Sequence, residues 1–426
     1  MFAPRWIAMV DLDALPTELA APVWPGELTC RFLSVRVLVR LHGAPLGLVE
    51  CPLVDGALSG DHLRYVIDRD LSEARARHEA GCRGPEECPN WGPVPVDWPV
   101  VSVVVCTHER PASLKACLRS LSTLAYPSLE IVIVDNAPRT SETRDVVAAA
   151  GDPRIRYTCA EIPGLSVARN HGVAEAKGEI VAFTDDDVVV DPRWLEGLVR
   201  GFGRRPDIGM VTGLILAAEL ESQAQAFFER KVTWGAVLNP RQFSITNPPS
   251  DEVMTAYNCG MVGAGANFAA RRDLLLRVGP FDEALGAGAP SRGGEDLDYF
   301  RRILLDGKAI AYEPASLVWH YHRRELATLR KQMIGYGSGL TAFGFKQLLD
   351  PDKRWAALRD LPRALVRFAV HGTSNPGAHA RFVDAGPLPR GLWWLEMKGM
   401  FQGPVLYLRG RSAVAERRKQ ASAAKQ

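Results

Sequence analysis

Three consecutive carboxylates, Asp185, Asp186 and Asp187, end the β-rich run Glu179-Ile180-Val181-Ala182-Phe183-Thr184. Adjacent carboxylates repel one another and resist burial. A hard divalent cation such as Mg²⁺ or Mn²⁺ removes that penalty, and such a cation usually carries a phosphate as well. The alternative is an acidic turn or helix cap leading into Asp191-Pro192-Arg193-Trp194. A second acid pair, Glu295-Asp296, follows Gly293-Gly294. It suits the start of a helix over Leu297 to Leu305, and it equally suits a base that takes a proton from an attacking hydroxyl. One acidic site with metal spacing and a second in a glycine-rich loop would suit transfer of a group from a phosphate ester to a hydroxyl. Charge on the leaving phosphates must be neutralised, and the acceptor must be deprotonated.

The elements that must position these groups follow from periodicity. Val100 to Cys106 and Leu129 to Val134 are nearly all-apolar runs of the kind buried on both faces of a sheet. Arg154 to Tyr157 reads as a short strand, and helical spacing covers Pro111 to Leu124, Thr140 to Ala150 and Leu165 to Ala176. Strands alternating with helices predict an α/β fold with a mostly parallel sheet flanked by helices. Ligands of such sheets bind at the carboxyl ends of the strands. Thr107, His108, Glu109, Asp135, Asn136 and the Asp185 triplet all fall there.

The segment before residue 95 reads as a small accessory α+β domain. It has a strand over Arg36 to Leu41, a turn at His42-Gly43-Ala44-Pro45, a second strand from Leu46 to Glu50, and a helical stretch from Asp61 to Glu79. A linker punctuated by Gly84-Pro85, Pro89, Gly92-Pro93, Pro95 and Pro99 follows. The expected domains are therefore 1–95, 96–325 and a helical extension over 326–426. That extension has helices over Leu326 to Leu349 and Arg354 to Ala369, the second kinked or split at Pro362. The aromatic stretch from Gly391 to Leu408 either packs on the core or lies on a membrane surface. The basic cluster Arg409, Arg411, Arg417, Arg418 and Lys419 reads as a solvated tail, or else as a contact for an acidic surface.

Composition excludes several classes. The chain has 426 residues, 47% hydrophobic and 23% charged, with a formal net charge of +2, so no global field argues for nucleic acid. No apolar run of about 20 residues marks a spanning helix. The opening lacks the apolar core of a signal peptide, since Asp11 and Asp13 interrupt it. A cytoplasmic location with reduced thiols is the expectation, with peripheral contact at the cytoplasmic membrane left open. Among the eight cysteines Cys82 and Cys88 are closest, and no second Cys or His pair follows them at zinc-ligand spacing.

A dinucleotide site fails locally. The first buried strand runs into Cys106-Thr107-His108-Glu109-Arg110-Pro111, with no glycine to let a backbone close on pyrophosphate. The ordered motifs instead resemble the family 2 inverting glycosyltransferases of GT-A fold. They are Val101-Ser102-Val103-Val104-Val105-Cys106-Thr107, Glu130-Ile131-Val132-Ile133-Val134-Asp135-Asn136, Gly164-Leu165-Ser166-Val167-Ala168-Arg169-Asn170 and Phe183-Thr184-Asp185-Asp186-Asp187. Gly263-Ala264-Gly265-Ala266-Asn267, Gly294-Glu295-Asp296-Leu297-Asp298 and Val318-Trp319-His320 complete the set, from about Pro99 to Arg324.

The resemblance implies that Asp187 ligates Mg²⁺ or Mn²⁺, with Asp185 nearer the ribose and His320 completing the metal site. It assigns Asp135 to the base, and Thr107 and Glu109 to the nucleotide pocket. Arg169 falls beside the nucleotide and donor, and the middle acid Asp186 falls with them. Asp296 of the Glu295-Asp296 pair is the implied catalytic base, and Gly263 to Asn267 line the donor-sugar and acceptor pocket. His108 stands where the family often has an aromatic residue or Asn, so the nucleotide base is open. The donor would be a nucleoside-diphosphate sugar, and the acceptor a small molecule, a lipid-linked glycan or a polypeptide. Two other readings remain at this point. A nucleotidyltransferase also pairs such a sheet with carboxylates and Mg²⁺, but would want a glycine-rich basic loop after the first strand. A carbohydrate-binding protein on the same scaffold would need neither metal nor base.

Overall fold

The computed structural model describes residues 2–22, 31–82, 84, 87–232, 234–235, 237–246, 259–371 and 391–423. The N-terminal region contains β1 (Arg5–Asp11), β2 (Glu18–Ala20), β3 (Ser34–Leu41), β4 (Ala44–Pro52) and β5 (Ala57–Ser59). A three-stranded sheet has the order β1-β3-β4, and β2 pairs with β5. The β3–β4 turn is tighter than the sequence predicts. His42 and Gly43 alone make it, at φ 53° and 77°, and Ala44 and Pro45 already belong to β4. Two central residues at positive φ match the twist of the flanking strands. The helical stretch that follows is two helices, α1 (Gly60–Asp70) and α2 (Ser72–Glu79), because Leu71 leaves helical geometry at φ −119°, ψ 9°.

The main sheet is built from β6 (Val101–Thr107), β7 (Leu129–Asn136), β8 (Ile155–Ala160), β9 (Ile180–Asp185), β10 (Val188–Val190), β11 (Ile208–Ala217), β12 (Arg241–Phe243), β13 (Asn267–Arg271) and β14 (Ala309–His320). Its order is β10-β14-β11-β13-β9-β6-β7-β8, with β12 on the other half of β14. Strands β8, β7, β6 and β9 are mutually parallel, and β11 is parallel to β14. Strand β13 runs antiparallel between β9 and β11. The helices among them are α3 (Pro111–Ser122), α4 (Glu142–Ala150), α5 (Leu165–Glu175), α6 (Trp194–Gly201), α7 (Gln223–Lys231), α8 (Arg272–Val278) and α9 (Glu295–Leu305). Hydrophobic cores lie on both faces of the sheet. One gathers Val103, Val105, Leu114, Ile131, Ile133 and Trp194; the other gathers Val104, Val132, Phe183, Phe268, Phe300 and Phe343. Burial on both faces is why these strands read as continuous apolar runs.

Register decides where the chemistry falls. Cys106 lies opposite Asp185 and Thr107 opposite Asp135, so β6, β7 and β9 end side by side. The N-terminal sheet covers part of the main sheet through Leu38 and Leu48, which pack on Leu214, Leu216 and Leu317. Each such fully buried leucine contributes about 1.5–3 kcal/mol. Arg40 adds a tie, pairing with Asp11 and, at 2.8 Å, with Asp191.

The C-terminal region contains α10 (Leu326–Leu349), α11 (Arg354–His371) and α12 (Leu392–Ala423). Helix α11 runs through Pro362 as one element, so the helix is not split there. The aromatic stretch and the basic cluster share the single helix α12, so Arg409, Arg411, Arg418 and Lys419 sit exposed on a helix rather than in a loose tail. Helices α10 and α12 approach backbone to backbone: a Cβ on Gly337 would meet the Glu396 carbonyl at 2.1 Å. One face of α12 is thereby packed, with Leu392 and Tyr407 buried, while Trp394, Phe401, Val405 and Leu408 recur at helical spacing on an exposed face. Among the described residues no helix is long and apolar enough to cross a membrane.

Candidate active site

The acidic triplet splits by direction. Asp185 ends β9, Asp186 and Asp187 form the turn, and β10 carries the chain away. Asp186 turns back under the sheet edge, accepting from Thr107 Oγ1 at 2.7 Å and from Arg110 Nη1 at 2.5 Å. Burial pushes its carboxyl up to about 7 despite Arg110. Asp187 faces Arg110 Nη2 at 2.7 Å, His320 Nε2 at 3.4 Å and Arg323 Nη2 at 3.6 Å. Burial opposes its ionisation, but the guanidinium groups of Arg110 and Arg323 hold the carboxyl low. Arg110 and Arg323 were not among the residues anticipated from the sequence. Arg110 sits in the loop after β6 and reaches the triplet only because β6 and β9 are neighbours.

The ligand atoms of Asp185, Asp187 and His320 all lie within 4.8 Å of one another. His320 ends β14, and the antiparallel pairing of β14 with β10 sets it opposite Val188, next to the triplet. Its Nδ1 lies 3.0 Å from Nδ1 of buried His322, whose Nε2 lies 2.9 Å from Glu229 Oε2. Protons placed to satisfy that chain run from His322 to Glu229 and from His320 to His322. They leave the Nε2 lone pair of His320 facing the Asp187 carboxylate, and burial pushes the imidazole down to about 4, so it is neutral. A lone pair aimed at a carboxylate fits a cation between them. Two carboxylates and a neutral imidazole suit Mn²⁺, and suit Mg²⁺ if water completes its oxygen shell.

Arg169 on α5 joins the two acidic sites. Only 2% exposed, it donates to Glu295 Oε1 and to the Gly265 carbonyl, both at 3.0 Å, and lies 3.6 Å from Asp185 Oδ1. Phe268 and Phe281 flank its guanidinium. Burial, then the adjacent Asp296, push the Glu295 carboxyl up to about 7 against the pull of Arg169. Glu295 and Asp296 are the first two residues of α9, entered through Gly294 at φ 87°. A side chain at Gly294 would also collide with the Gly339 carbonyl of α10, at 2.4 Å. Asp296 is half-buried, and each of its carboxylate oxygens accepts one backbone N–H, from Gly265 at 3.1 Å and from Leu297 at 2.8 Å. Tyr336 of α10 completes this side; burial and the charges of Asp296, Asp185 and Glu295 push its hydroxyl well up. It was missed because nothing in the helical pattern of α10 points to a site.

On the β7 side of the triplet, Asp135 is fully buried near the end of its strand. Its Oδ2 accepts from Tyr157 at 2.9 Å, and its Oδ1 has no hydrogen-bond partner among the described residues. A buried acceptor left open in this way is a place for a ligand donor. Glu109 adopts φ 52° and accepts from the Arg139 backbone N–H at 2.9 Å. In the Gly263 to Asn267 segment, Gly265 touches both Arg169 and Asp296. Asn267 instead points into the sheet, bonding Leu214, Ser316 and Trp194.

Comparison with known proteins bears on the family of the chain. The family model Glycosyl transferase family 2 matches residues 102–243, and Glycosyl transferase family group 2 matches residues 180–407. A glucosyl-dolichyl phosphate glucuronosyltransferase of Haloferax volcanii is 30% identical over 190 residues, covering 44% of this chain and 57% of that one. A pre-mycofactocin glycosyltransferase of Mycobacterium tuberculosis is 27% identical over 317 residues, covering 74% of this chain and 59% of that one. The chain thus spans less than two-thirds of the length of these relatives. Among solved structures, a mannosyltransferase of Pyrobaculum calidifontis in complex with GDP-Man and Mn²⁺ superposes with TM-score 0.47 at 19% identity, covering 79% of this chain and 92% of that one. The mostly parallel sheet flanked by helices, the helical C-terminal region and the family match over more than half of the sequence agree: the chain belongs to glycosyl transferase family 2.

Proposed function

We propose that the protein is a metal-dependent, inverting glycosyltransferase that moves a sugar from a nucleoside-diphosphate sugar to an acceptor hydroxyl. The observation that carries this reading is the convergence of Asp185, Asp187 and His320 beside a second acid pair, Glu295-Asp296, with Arg169 bridging the two. Asp187, His320 and Asp185 would hold Mn²⁺ or Mg²⁺, and a bound cation would neutralise charge on the leaving diphosphate. The open Oδ1 of Asp135 would take a donor group of the nucleotide base, with Thr107 and Glu109 bordering that pocket.

Asp296 is the proposed base. Its two backbone hydrogen bonds fix the carboxylate and leave lone pairs to accept the hydroxyl proton. As the acceptor oxygen bonds to the anomeric carbon, the bond to the diphosphate breaks, the proton passes to Asp296, and the nucleoside diphosphate departs. A single displacement of this kind inverts the anomeric centre. Glu295 and Arg169 act as positioning residues, holding Gly265 and α9 in register. The test is Asp296→Asn assayed for transfer and for nucleotide binding. Turnover should fall about 10²–10⁴-fold with nucleotide affinity unchanged; full transfer activity would refute the base assignment.

The acceptor is proposed to be lipid-linked and met at the cytoplasmic membrane surface. The exposed stripe of Trp394, Phe401, Val405 and Leu408 on α12 is accompanied by exposed Lys398 and Arg409, a composition that suits an anionic interface. A small-molecule or polypeptide acceptor would leave that stripe without a role.

A further inference from the structure

Outside the acidic site, a second cluster of ligand-type side chains gathers from three separate places in the N-terminal region. His42 comes from the β3–β4 turn, His78 from the last turn of α2, and Cys82 and Cys88 from the chain that follows. The sequence hid this set because both histidines precede the cysteine pair, one of them by 40 residues. One ligand atom from each of the four lies within 4.8 Å of the others. His42 Nδ1 is 3.0 Å from Cys82 Sγ and 3.3 Å from His78 Nε2, which is 3.2 Å from Cys88 Sγ. With Zn–N near 2.0–2.1 Å and Zn–S near 2.3 Å, a tetrahedron has edges of about 3.4 Å between nitrogens and about 3.6 Å between nitrogen and sulfur. The observed nitrogen–nitrogen edge matches, and the nitrogen–sulfur edges are within about half an ångström.

The outer nitrogens give an independent sign. His78 Nδ1 lies 2.8 Å from Asn90 Nδ2, and His42 Nε2 lies 4.0 Å from Asp13 Oδ1. A metal-bound histidine ordinarily directs its second nitrogen to such a carboxylate or amide oxygen. For His78 this requires the Asn90 amide to turn over, exchanging its nitrogen for its oxygen next to Nδ1 once Nε2 is occupied. His78 and Cys88 are buried, so the cluster is closed off from solvent on that side.

We propose that His42, His78, Cys82 and Cys88 bind one structural Zn²⁺ that fastens the N-terminal domain to the catalytic sheet. Four protein ligands close the tetrahedron, which marks a structural site rather than a catalytic one. The two sulfur ligands select zinc over the harder cation suited to Asp185 and Asp187. Binding by two thiolates and two neutral imidazoles releases the two thiol protons to solvent. The fastening is visible next to the cluster. Trp91 donates from Nε1 to the His42 carbonyl at 3.0 Å, and its ring lies beneath Arg193 at 4.0 Å and Arg200 at 5.1 Å. Arg200 Nε in turn donates to the Gly92 carbonyl at 2.6 Å. Cys88, Trp91 and Ala44 pack on Ala315 of β14. The ion would thus hold the linker against α6, the helix that follows the acidic triplet.

The test is elemental analysis of the full chain purified from zinc-supplemented cells, together with the absorption spectrum after replacement by Co²⁺. The expected result is one zinc per chain, retained in Asp187→Asn and lost in Cys88→Ser, with thiolate-to-Co²⁺ charge transfer and tetrahedral d–d bands in the wild type. The wild-type measurements decide the matter even if Cys88→Ser does not fold. Wild-type protein without zinc and without those Co²⁺ bands would overturn the proposal. So would a Cys82–Cys88 disulfide in metal-free protein, or full zinc retention in a Cys82→Ser/Cys88→Ser double variant.

Discussion

Replacing Arg169 by Met tests the physical link between the two acidic sites. The substitution roughly keeps the apolar contacts to Phe268 and Phe281 but removes the charge facing Glu295 and Asp185 and the donor to the Gly265 carbonyl. Breaking a buried ion pair by removing one partner costs about 3–5 kcal/mol, because the other charge stays buried. Glu295 can relieve part of this by taking a proton, since burial and Asp296 already push its carboxyl to about 7 with Arg169 in place. Without Arg169 that value rises further. The folded variant then holds a proton that the unfolded chain, with an ordinary carboxyl, has lost, and stability falls as pH rises through this interval. The destabilisation should therefore approach about 3–5 kcal/mol at pH 8 and shrink toward pH 5. Urea titrations followed by tryptophan fluorescence at several pH values measure it. Glu295→Gln in the same background should recover part of the loss, giving a coupling of a few kcal/mol in the double-mutant cycle. A variant within about 1 kcal/mol of wild type at pH 8, with no dependence on Glu295, would refute the reasoning.

Glu313 on β14 gives a pH signature elsewhere in the fold: it is fully buried, and burial pushes its carboxyl up to about 7 although Arg204 lies only 2.6 Å away. The folded state then holds a proton that the unfolded chain has lost, so this stabilisation is complete below the unfolded value of 4.5 and is lost as pH rises through about 7. Glu313→Gln should remove that slope, gaining on wild type by on the order of 3 kcal/mol between pH 4.5 and 7.5; parallel urea midpoints across this range would refute it. For α12, the protein should co-sediment with vesicles containing phosphatidylglycerol, more weakly at high salt, and Trp394→Ser with Phe401→Ser should reduce binding at least tenfold. Equal sedimentation of the variant would remove the interfacial role of this stripe.

The parts of the fold that were legible in sequence are those set by local pattern. Strands β6, β7 and β9 read directly because burial on both faces makes them unbroken apolar runs, and α10 was bounded at Leu326 and Leu349 by its helical spacing. The acids at the strand ends were legible for the same reason: polar groups that terminate a buried run stand out. What the sequence could not show depends on contacts between distant segments. The antiparallel insertion of β13 between β9 and β11 leaves no local trace. Nor does the inward turn of Asp186 onto Thr107, which follows from the pairing of β6 with β9. Arg110 and Tyr336 carry no motif of their own. His42 and Cys88 meet only because the β3–β4 turn folds onto the linker. Pro362 breaks no helix here, and the exposed aromatics of α12 could be told from the packed ones only once its partner α10 was known.

The central claim is a metal-assisted nucleotide site built on Asp187. The most direct measurement is thermal stabilisation of the wild type and of Asp187→Asn by UDP, TDP, GDP and CMP, each with and without Mn²⁺. One diphosphate at about 100 times its Kd should add about 2.7 kcal/mol in the presence of Mn²⁺. That gain should disappear without the ion and in Asp187→Asn. Stabilisation that is indifferent to Mn²⁺ and to Asp187, or none with any of the four nucleotides, would contradict it.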